Sequence, residues 1–391
     1  MTTQSVEGVG DRGAGRPSRP KVVLLSPPGD LGQIVLRSLS GLNARTLLVC
    51  EPRSSIRMSA HVSGTLLAAE NVFDNGLAIA QALEEEHRRD PIDIVLSSSV
   101  RGLSVLGRIR NQISPPVYPM ADEALLARLN DKWRFASVCA ECNVPTPRTL
   151  RFASASELDV AALTRSIGFP CVFKPTNASG GDGVKVVRNE TELVKAVADN
   201  ARFVSDGFLV QEFREGVDVG LSVFAVNGEI RNWSTFQCDG YWSTRFCEVP
   251  DLLDAGRRIV SQTKFTGVAN FDARRNPNNG ELAVLECNPR FFRRVSAARI
   301  NGLDFVAAGL ASLGLAPRQP SFLTTGRHLS ASDVASWSGL RMMAREGYSL
   351  ASLGRDFAEF LRDPAPGIGS FANEWLHLAA DKVRLKPSIS G

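Results

Sequence analysis

The segment GVANFDARRNPNNGELAVLECNPRFFRRVSAARING, residues 267–302, restricts the possible folds of this chain more than any other. Two apolar runs, VANFDAR and ELAVLEC, flank a turn containing Asn279-Gly280, a strong signal for an antiparallel hairpin. Asp272 lies on the first run. Glu286 and Asn288 stand two apart near the end of the second, so they point to one face. Glu286 continues an otherwise apolar strand, where an uncompensated carboxylate is costly. Two carboxylates and an amide oxygen form a hard-oxygen set suited to Mg²⁺ held against a phosphate chain. Arg290, Arg293 and Arg294 follow directly and place guanidinium donors beside it. The plainer alternative is a surface hairpin with ordinary charges, and the apolar setting of Glu286 weighs against it.

A second stretch, FKPTNASGGDGVKV at residues 173–186, supplies a loop fit for phosphate. Ser179, Gly180, Gly181 and Gly183 leave room for the backbone to come close to a ligand. CVFK reads as a strand entering the loop and VKVV as a strand leaving it. A P-loop needs its lysine after the glycines and a helix beyond, and a dinucleotide turn also needs the helix, so neither fits. What remains is a mobile β-hairpin whose amides close over phosphates, with Lys174 on the entering strand. Glycines in a tight hairpin can also be purely steric, and this loop alone does not decide.

Upstream, KVVLLS, RTLLVC and IDIVLSSS are buried-strand patterns separated by helical stretches around LGQIVLRSLSGL and AIAQALEEEHRRD. That alternation predicts a parallel, doubly wound α/β domain over residues 21–118. Its first loop, SPPGDLG, lacks the dinucleotide fingerprint, so no nucleotide site is expected there. ISPPVYP reads as a linker or sharp turn, EALLARLNDKWRFASVCAECNV as one helical run, and DVAALTRSIG as another helix. Residues 1–20 are polar and rich in Gly, Ser, Arg and Pro without an apolar core, which predicts a disordered tail rather than a signal peptide.

Composition excludes several classes. With 43% hydrophobic and 22% charged residues and a net charge of +4, the 391-residue chain has a soluble, multidomain profile without a polybasic block. Neither a nucleic-acid partner nor a membrane span is expected. Seven widely spaced cysteines are odd in number, and the lone CxxC, Cys139 and Cys142, sits in a helical pattern. These point to a reducing compartment, the cytoplasm.

The combination resembles the ATP-grasp superfamily, and NFDARRNPNNGELAVLECNPRFFRR is most similar to the carbamoyl-phosphate synthetase large subunit and its stand-alone carboxylate–amine ligase relatives. The resemblance covers residues 119–318, with a lid lobe at about 130–210. It implies a pre-ATP-grasp α/β domain, a two-lobed ATP-grasp α+β domain and a helical extension over residues 319–391. It also implies roles. Lys132 and Lys174 match the lysines facing the α- and β-phosphates. Gln211 or Glu212 would meet the adenine amino group, the backbone at Phe213 and Arg214 the ring edge, and Asp218 the ribose. Asp272, Glu286 and Asn288 match the metal ligands, holding two Mg²⁺ ions or alternatively Mn²⁺. Arg290 and Arg293 match arginines that contact the transferring phosphoryl group or the substrate acid.

The implied reaction moves the γ-phosphoryl of ATP to a small acid or amino acid, giving an acyl phosphate that an amine attacks to form an amide. A non-catalytic nucleotide-binding module, an acyl-phosphate-forming kinase and a carboxylase of the same fold are the alternatives. Every metal ligand and phosphate lysine is present, which favours an enzyme. Substrate selectors are expected in RNWSTFQCDGYWSTRFCEVP, residues 231–250, with Arg245 as a candidate for a substrate carboxylate. Packing roles for Trp233, Tyr241 and Trp242, and a surface ion pair for Arg245, are the equal alternatives. The apolar spacing of the C-terminal helices suits either a cap on the grasp domain or a homodimer face.

Overall fold

The computed structural model describes residues 19–28, 31–176, 183–200, 207–238, 243–329, 358 and 361–366. Ser179, Gly180 and Gly181, residues 1–18, loop residues 239–242 and most of the C-terminal extension lie outside these.

The first strand, β1 (Lys21–Leu25), is buried at all five positions, as a strand covered on both faces must be. Helix α1 (Leu31–Gly41) carries the chain to β2 (Arg45–Cys50), and β3 (Val62–Ala68) follows. Helix α2 (Gly76–Arg89), β4 (Ile94–Ser97) and α3 (Val100–Ile109) complete the unit. The sheet runs β3-β2-β1-β4 with every pair parallel, the doubly wound order that strand–helix alternation predicts. The reading of the sequence passed over β3, whose alternating half-buried pattern lacks a continuous apolar run. The Pro-rich ISPPVYP is no loose linker. Val117 bridges Val95 in parallel, and the amide of Tyr118 donates to the Val95 carbonyl at 2.8 Å.

The run expected as one helix is two, α4 (Glu123–Asn130) and α5 (Lys132–Glu141). Asp131 separates them. Its backbone is extended and its carboxylate accepts from the Arg134 amide, so it caps α5. The break matters because it puts Lys132 on the first turn of α5.

A four-stranded antiparallel sheet forms the smaller lobe. It is built from β5 (Thr149–Phe152), then after α6 (Val160–Ser166) β6 (Cys171–Pro175), β7 (Lys185–Val187) and, past α7 (Glu190–Asp199), β8 (Phe208–Glu212). Its order is β5-β8-β6-β7, and β6 and β7 pair as the expected hairpin. The larger sheet opens with β9 (Val217–Val226), β10 (Glu229–Cys238) and β11 (Ser243–Phe246). After α8 (Pro250–Gln262) come β12 (Gly267–Arg275) and β13 (Leu282–Asn288), then α9 (Arg294–Ile300), α10 (Phe305–Ser312), β14 (Phe322–Leu323) and β15 (Arg327–Leu329). The sheet order is β13-β12-β9-β10-β11-β15, with β14 beside β10.

One core cluster joins the N-terminal sheet to the larger one: Leu24, Leu36 and Leu96 belong to it together with Phe224, Phe236, Phe305 and Leu310. Tyr118 locks this junction. Its hydroxyl donates to the Phe305 carbonyl at 2.7 Å, and its ring occupies the space where a Cβ on Gly309 would lie, 2.0 Å from Cζ. A Gly309→Ala protein is therefore expected to lose about 2 kcal/mol through overpacking. A lower urea midpoint at unchanged slope would show it; an unaltered midpoint would mean that Tyr118 moves aside freely.

Candidate nucleotide and metal site

The site is written into the β12–β13 ladder. Asp272 pairs with Glu286, and Asn270 with Asn288, so four polar side chains form two alternate rungs with Phe271 and Cys287 between them. On each strand they are two residues apart and share a face. The side-chain amide of Asn288 donates to Asp272 Oδ2 at 3.0 Å and approaches Glu286 Oε1 at 3.4 Å. The amide of Asn270 donates to Asp272 Oδ1 at 2.8 Å, and its own oxygen receives the Ser222 hydroxyl at 3.1 Å. The three expected metal ligands thus converge. Asn270 was missed by the sequence reading, although the period of two that marked Glu286 and Asn288 also marks Asn270 and Asp272.

Charge is concentrated here. Burial, reinforced by the neighbouring Glu286 charge, raises the Asp272 pKa to about 6. Burial pushes Glu286 the same way, but Lys132 and Lys174 outweigh it and hold Glu286 below the usual range. Lys132 Nζ stands 3.5 Å from Glu286 Oε2. Lys174, only 8% exposed on β6, has its pKa pulled down to about 8 by burial, with Glu286 working against that shift and Lys132 adding to it. The two lysines come from different elements, α5 and the β5-β8-β6-β7 sheet, and the charge of Glu286 acts on both.

Further residues fall around this centre. Lys174 Nζ donates to Gln211 Oε1 at 2.6 Å, and Gln211 Nε2 donates to the Thr149 hydroxyl at 3.0 Å, so Gln211 orients the lysine from within the same sheet. Glu212 instead pairs with Arg148 at 3.4 Å and Arg214 at 3.1 Å. The Arg274 guanidinium lies over the Phe213 ring at 5.6 Å, pairs with Asp218 at 3.1 Å and donates to the Gly216 carbonyl at 2.8 Å. Phe213, Arg214, Glu215, Arg274 and Leu282 line a cleft of about 200 Å³. Gly183 has φ +70°, and a Cβ there would meet Asn200 Oδ1 at 2.7 Å and Pro175 at 2.8 Å, so the hairpin exit needs glycine.

Arg290 donates to Asn288 Oδ1 at 2.9 Å and to the Phe291 carbonyl at 3.0 Å. Arg293 is exposed at the start of α9. Arg245 lies on β11 between Gln237 and Arg327 in register. Trp233 stacks on Phe322 with ring centroids 5.4 Å apart. Tyr241 and Trp242 are outside the described residues. Asp272 and Glu286 are two crowded carboxylates, Asp272 raised in pKa by burial and by Glu286, which fits a divalent oxygen-seeking cation; the Asn288 side chain turns its nitrogen toward them while its oxygen accepts from Arg290. All seven cysteines are free thiols. Among the described residues no helix is long and apolar enough to cross a membrane.

Residues 131–216 match the family described as carbamoyl-phosphate synthase L chain, ATP binding domain. A D-aspartate ligase of Enterococcus faecium is 25% identical over 217 residues, 48% of this chain and 50% of that protein. The chain thus spans about half the length of that relative. Among solved structures, an L-amino acid ligase from Bacillus licheniformis superimposes with a TM-score of 0.57 at 15% identity, over 75% of this chain and 74% of that one. N5-carboxyaminoimidazole synthetase from Staphylococcus aureus, complexed with ADP, gives 0.63 at 12% identity over 84% and 88%. Sequence and fold agree over part of the chain: residues 131–216 match that ATP-binding domain, and the fold is shared with these two enzymes.

Proposed function

We propose that the protein is an ATP-dependent carboxylate–amine ligase that forms an amide through an acyl phosphate and releases ADP and phosphate. The observation that carries this reading is that Lys132 stands 3.5 Å from Glu286, which pairs with Asp272 across the ladder, while the buried Lys174 of the smaller sheet feels the charge of both carboxylates. Such a centre of alternating charge suits a polyphosphate bound between the lobes.

In this reading the adenine enters the cleft beside Phe213 and Arg214, whose backbone reads the ring edge, with Glu212 rather than Gln211 toward its amino group because Gln211 already holds Lys174. Asp218 binds the ribose. Lys132 and Lys174 take the α- and β-phosphates, and Ser179, Gly180, Gly181 and Gly183 close over them to exclude water. Asp272, Glu286 and Asn288 would hold two Mg²⁺ ions, which neutralise phosphate charge. Arg290 and Arg293 orient the γ-phosphoryl group and the acid. An oxygen of the acid attacks the γ-phosphorus and the bond to ADP breaks. The amine nitrogen then attacks the acyl carbon, losing a proton as phosphate leaves with the bonding electrons.

The acid and the amine are small molecules, in keeping with the D-aspartate ligase and L-amino acid ligase to which the chain is similar. Free thiols are in keeping with a cytoplasmic enzyme, and the C-terminal extension either caps the grasp domain or forms a homodimer face. The test is ATP consumption with Mg²⁺ across pairs of small acids and amines, with ADP, AMP and phosphate assayed separately. ADP and phosphate that appear only when both partners are supplied support the ligase. AMP and pyrophosphate would rule out the acyl phosphate, and acid-dependent ADP release without any need for amine would make the protein a kinase.

A further inference from the structure

Arg294 stands apart from the arginines already given roles. It begins α9, six residues past Asn288, and reaches back to the stems of the loop between β10 and β11. Its Nε donates to the Thr244 hydroxyl at 3.2 Å, its Nη2 contacts Cys238 Sγ at 3.0 Å, and its guanidinium lies 5.1 Å over the Phe236 ring. Phe236 is fully buried and Thr244 is 4% exposed, so the plane of the guanidinium is set by rigid neighbours.

All three of those neighbours are neutral. Of the five N–H donors on the group, the two hydrogen bonds use two, and among the described residues no carboxylate pairs with it. Phe236 pairs with Gly220 and Gly220 with Asp272 in register, so the ring that the guanidinium covers lies on the same face of the sheet as Asp272. A half-buried, pre-oriented cation without an anionic partner among the described residues favours a ligand that supplies the anion. A planar fork with free donors matches a carboxylate bidentately.

We infer that Arg294 binds a carboxylate of the small acid on which the enzyme acts, and so determines acid specificity. The inference rests on the ligase reading and deepens it, since nucleotide contacts alone leave the acid unassigned. Arg294 would hold the acid from the α9 side, next to the β10–β11 stems that it also grips. Two sources share this chemistry: the carboxylate that is activated, and a second carboxylate on the same molecule.

The experiment compares wild type with Arg294→Gln and Arg294→Lys. Each protein, holding Mg²⁺ and ADP, is titrated by calorimetry with propionate, succinate, glutarate, L-alanine, L-aspartate and L-glutamate, and with the monoamides of the diacids. Wild type is expected to bind at least one of these. Arg294→Gln should weaken that binding by about 100-fold and Arg294→Lys by about 10-fold, since a point charge replaces the fork. ADP affinity should stay within about threefold in both, which also verifies folding. Loss of preference for a diacid over its monoamide in Arg294→Gln assigns the second carboxylate; equal weakening of both assigns the reacting one. Undiminished acid binding in Arg294→Gln, parallel loss of ADP, or a wild type that binds ADP and none of the carboxylates overturns the inference. Arg294-dependent acid binding without ADP formation from ATP with any amine would instead sink the ligase reading and leave the inference standing.

Discussion

ATP turnover by a Glu286→Gln protein is expected to fall by about 10³-fold with the fold retained, because Glu286 is the point on which the other charges of the site depend. It faces Lys132 at 3.5 Å and accepts weakly from the Asn288 amide at 3.4 Å. It also raises the pKa of Lys174 against burial. Its removal therefore acts three times. One oxygen ligand is lost from the cation set, Lys132 loses its counter-charge, and Lys174 moves further below about 8, toward neutrality at working pH. Asp272, freed of a like charge, should ionise more readily, so the variant keeps one competent carboxylate and still binds nucleotide weakly. Asp254→Asn is the matched control, an exposed carboxylate on α8 that pairs with Arg257 at 3.3 Å, and it should leave turnover unchanged. Phosphate release under saturating ATP and calorimetric nucleotide binding separate the two effects. A Glu286→Gln protein that keeps more than a tenth of wild-type turnover would remove Glu286 from the catalytic centre.

Much of this centre was legible because it obeys local rules. The β12–β13 hairpin shows in Asn279-Gly280 between apolar runs, and strand periodicity puts Glu286 and Asn288 on one face. The buried run KVVLL announces a central parallel strand in the same way. What stayed hidden depends on contacts distant in sequence. Gln211 reads equally well as an adenine contact until the pairing of Val172 with Gln211 brings it beside Lys174. Arg274 looks like hairpin surface charge, yet from β12 it holds Phe213 and Gly216, between β8 and β9, together with Asp218 on β9. The break at Asp131 was local, and an Asn-Asp pair inside a helical run was its signal; apolar spacing on both sides masked it. Tyr118 and Gly309 lie nearly two hundred residues apart, so the reason for that glycine exists only in the folded chain.

Nucleotide affinity should weaken with rising pH above about 8, through Lys174. The side chain is 8% exposed, and burial, the largest influence, disfavours its charge; Glu286 opposes this and Lys132 adds to it. The sign for stability follows from the direction. The folded pKa, about 8, lies below the ordinary value of 10.5, so in that window the unfolded chain binds more protons and stability rises with pH from about 8 to 10.5. Nucleotide binding works the other way. A polyphosphate beside the ammonium group restores its pKa, so above pH 8 binding must take up a proton, and the association constant falls by up to about tenfold per pH unit. Below pH 8 this group is already charged and contributes no slope. Calorimetry at pH 9 in two buffers of different ionisation enthalpy should report uptake of about 0.9 proton. A Lys174→Met protein should bind ATP about 100-fold more weakly at pH 7, since one charge-assisted contact is gone, and should lose both the slope and the proton uptake. It should also be more stable than wild type at pH 7, where the buried charge no longer has to be accommodated. Affinity that is flat from pH 7 to 9.5 in wild type, or an unchanged slope in Lys174→Met, would place the phosphates out of reach of Lys174 and require a different path for the nucleotide between the lobes.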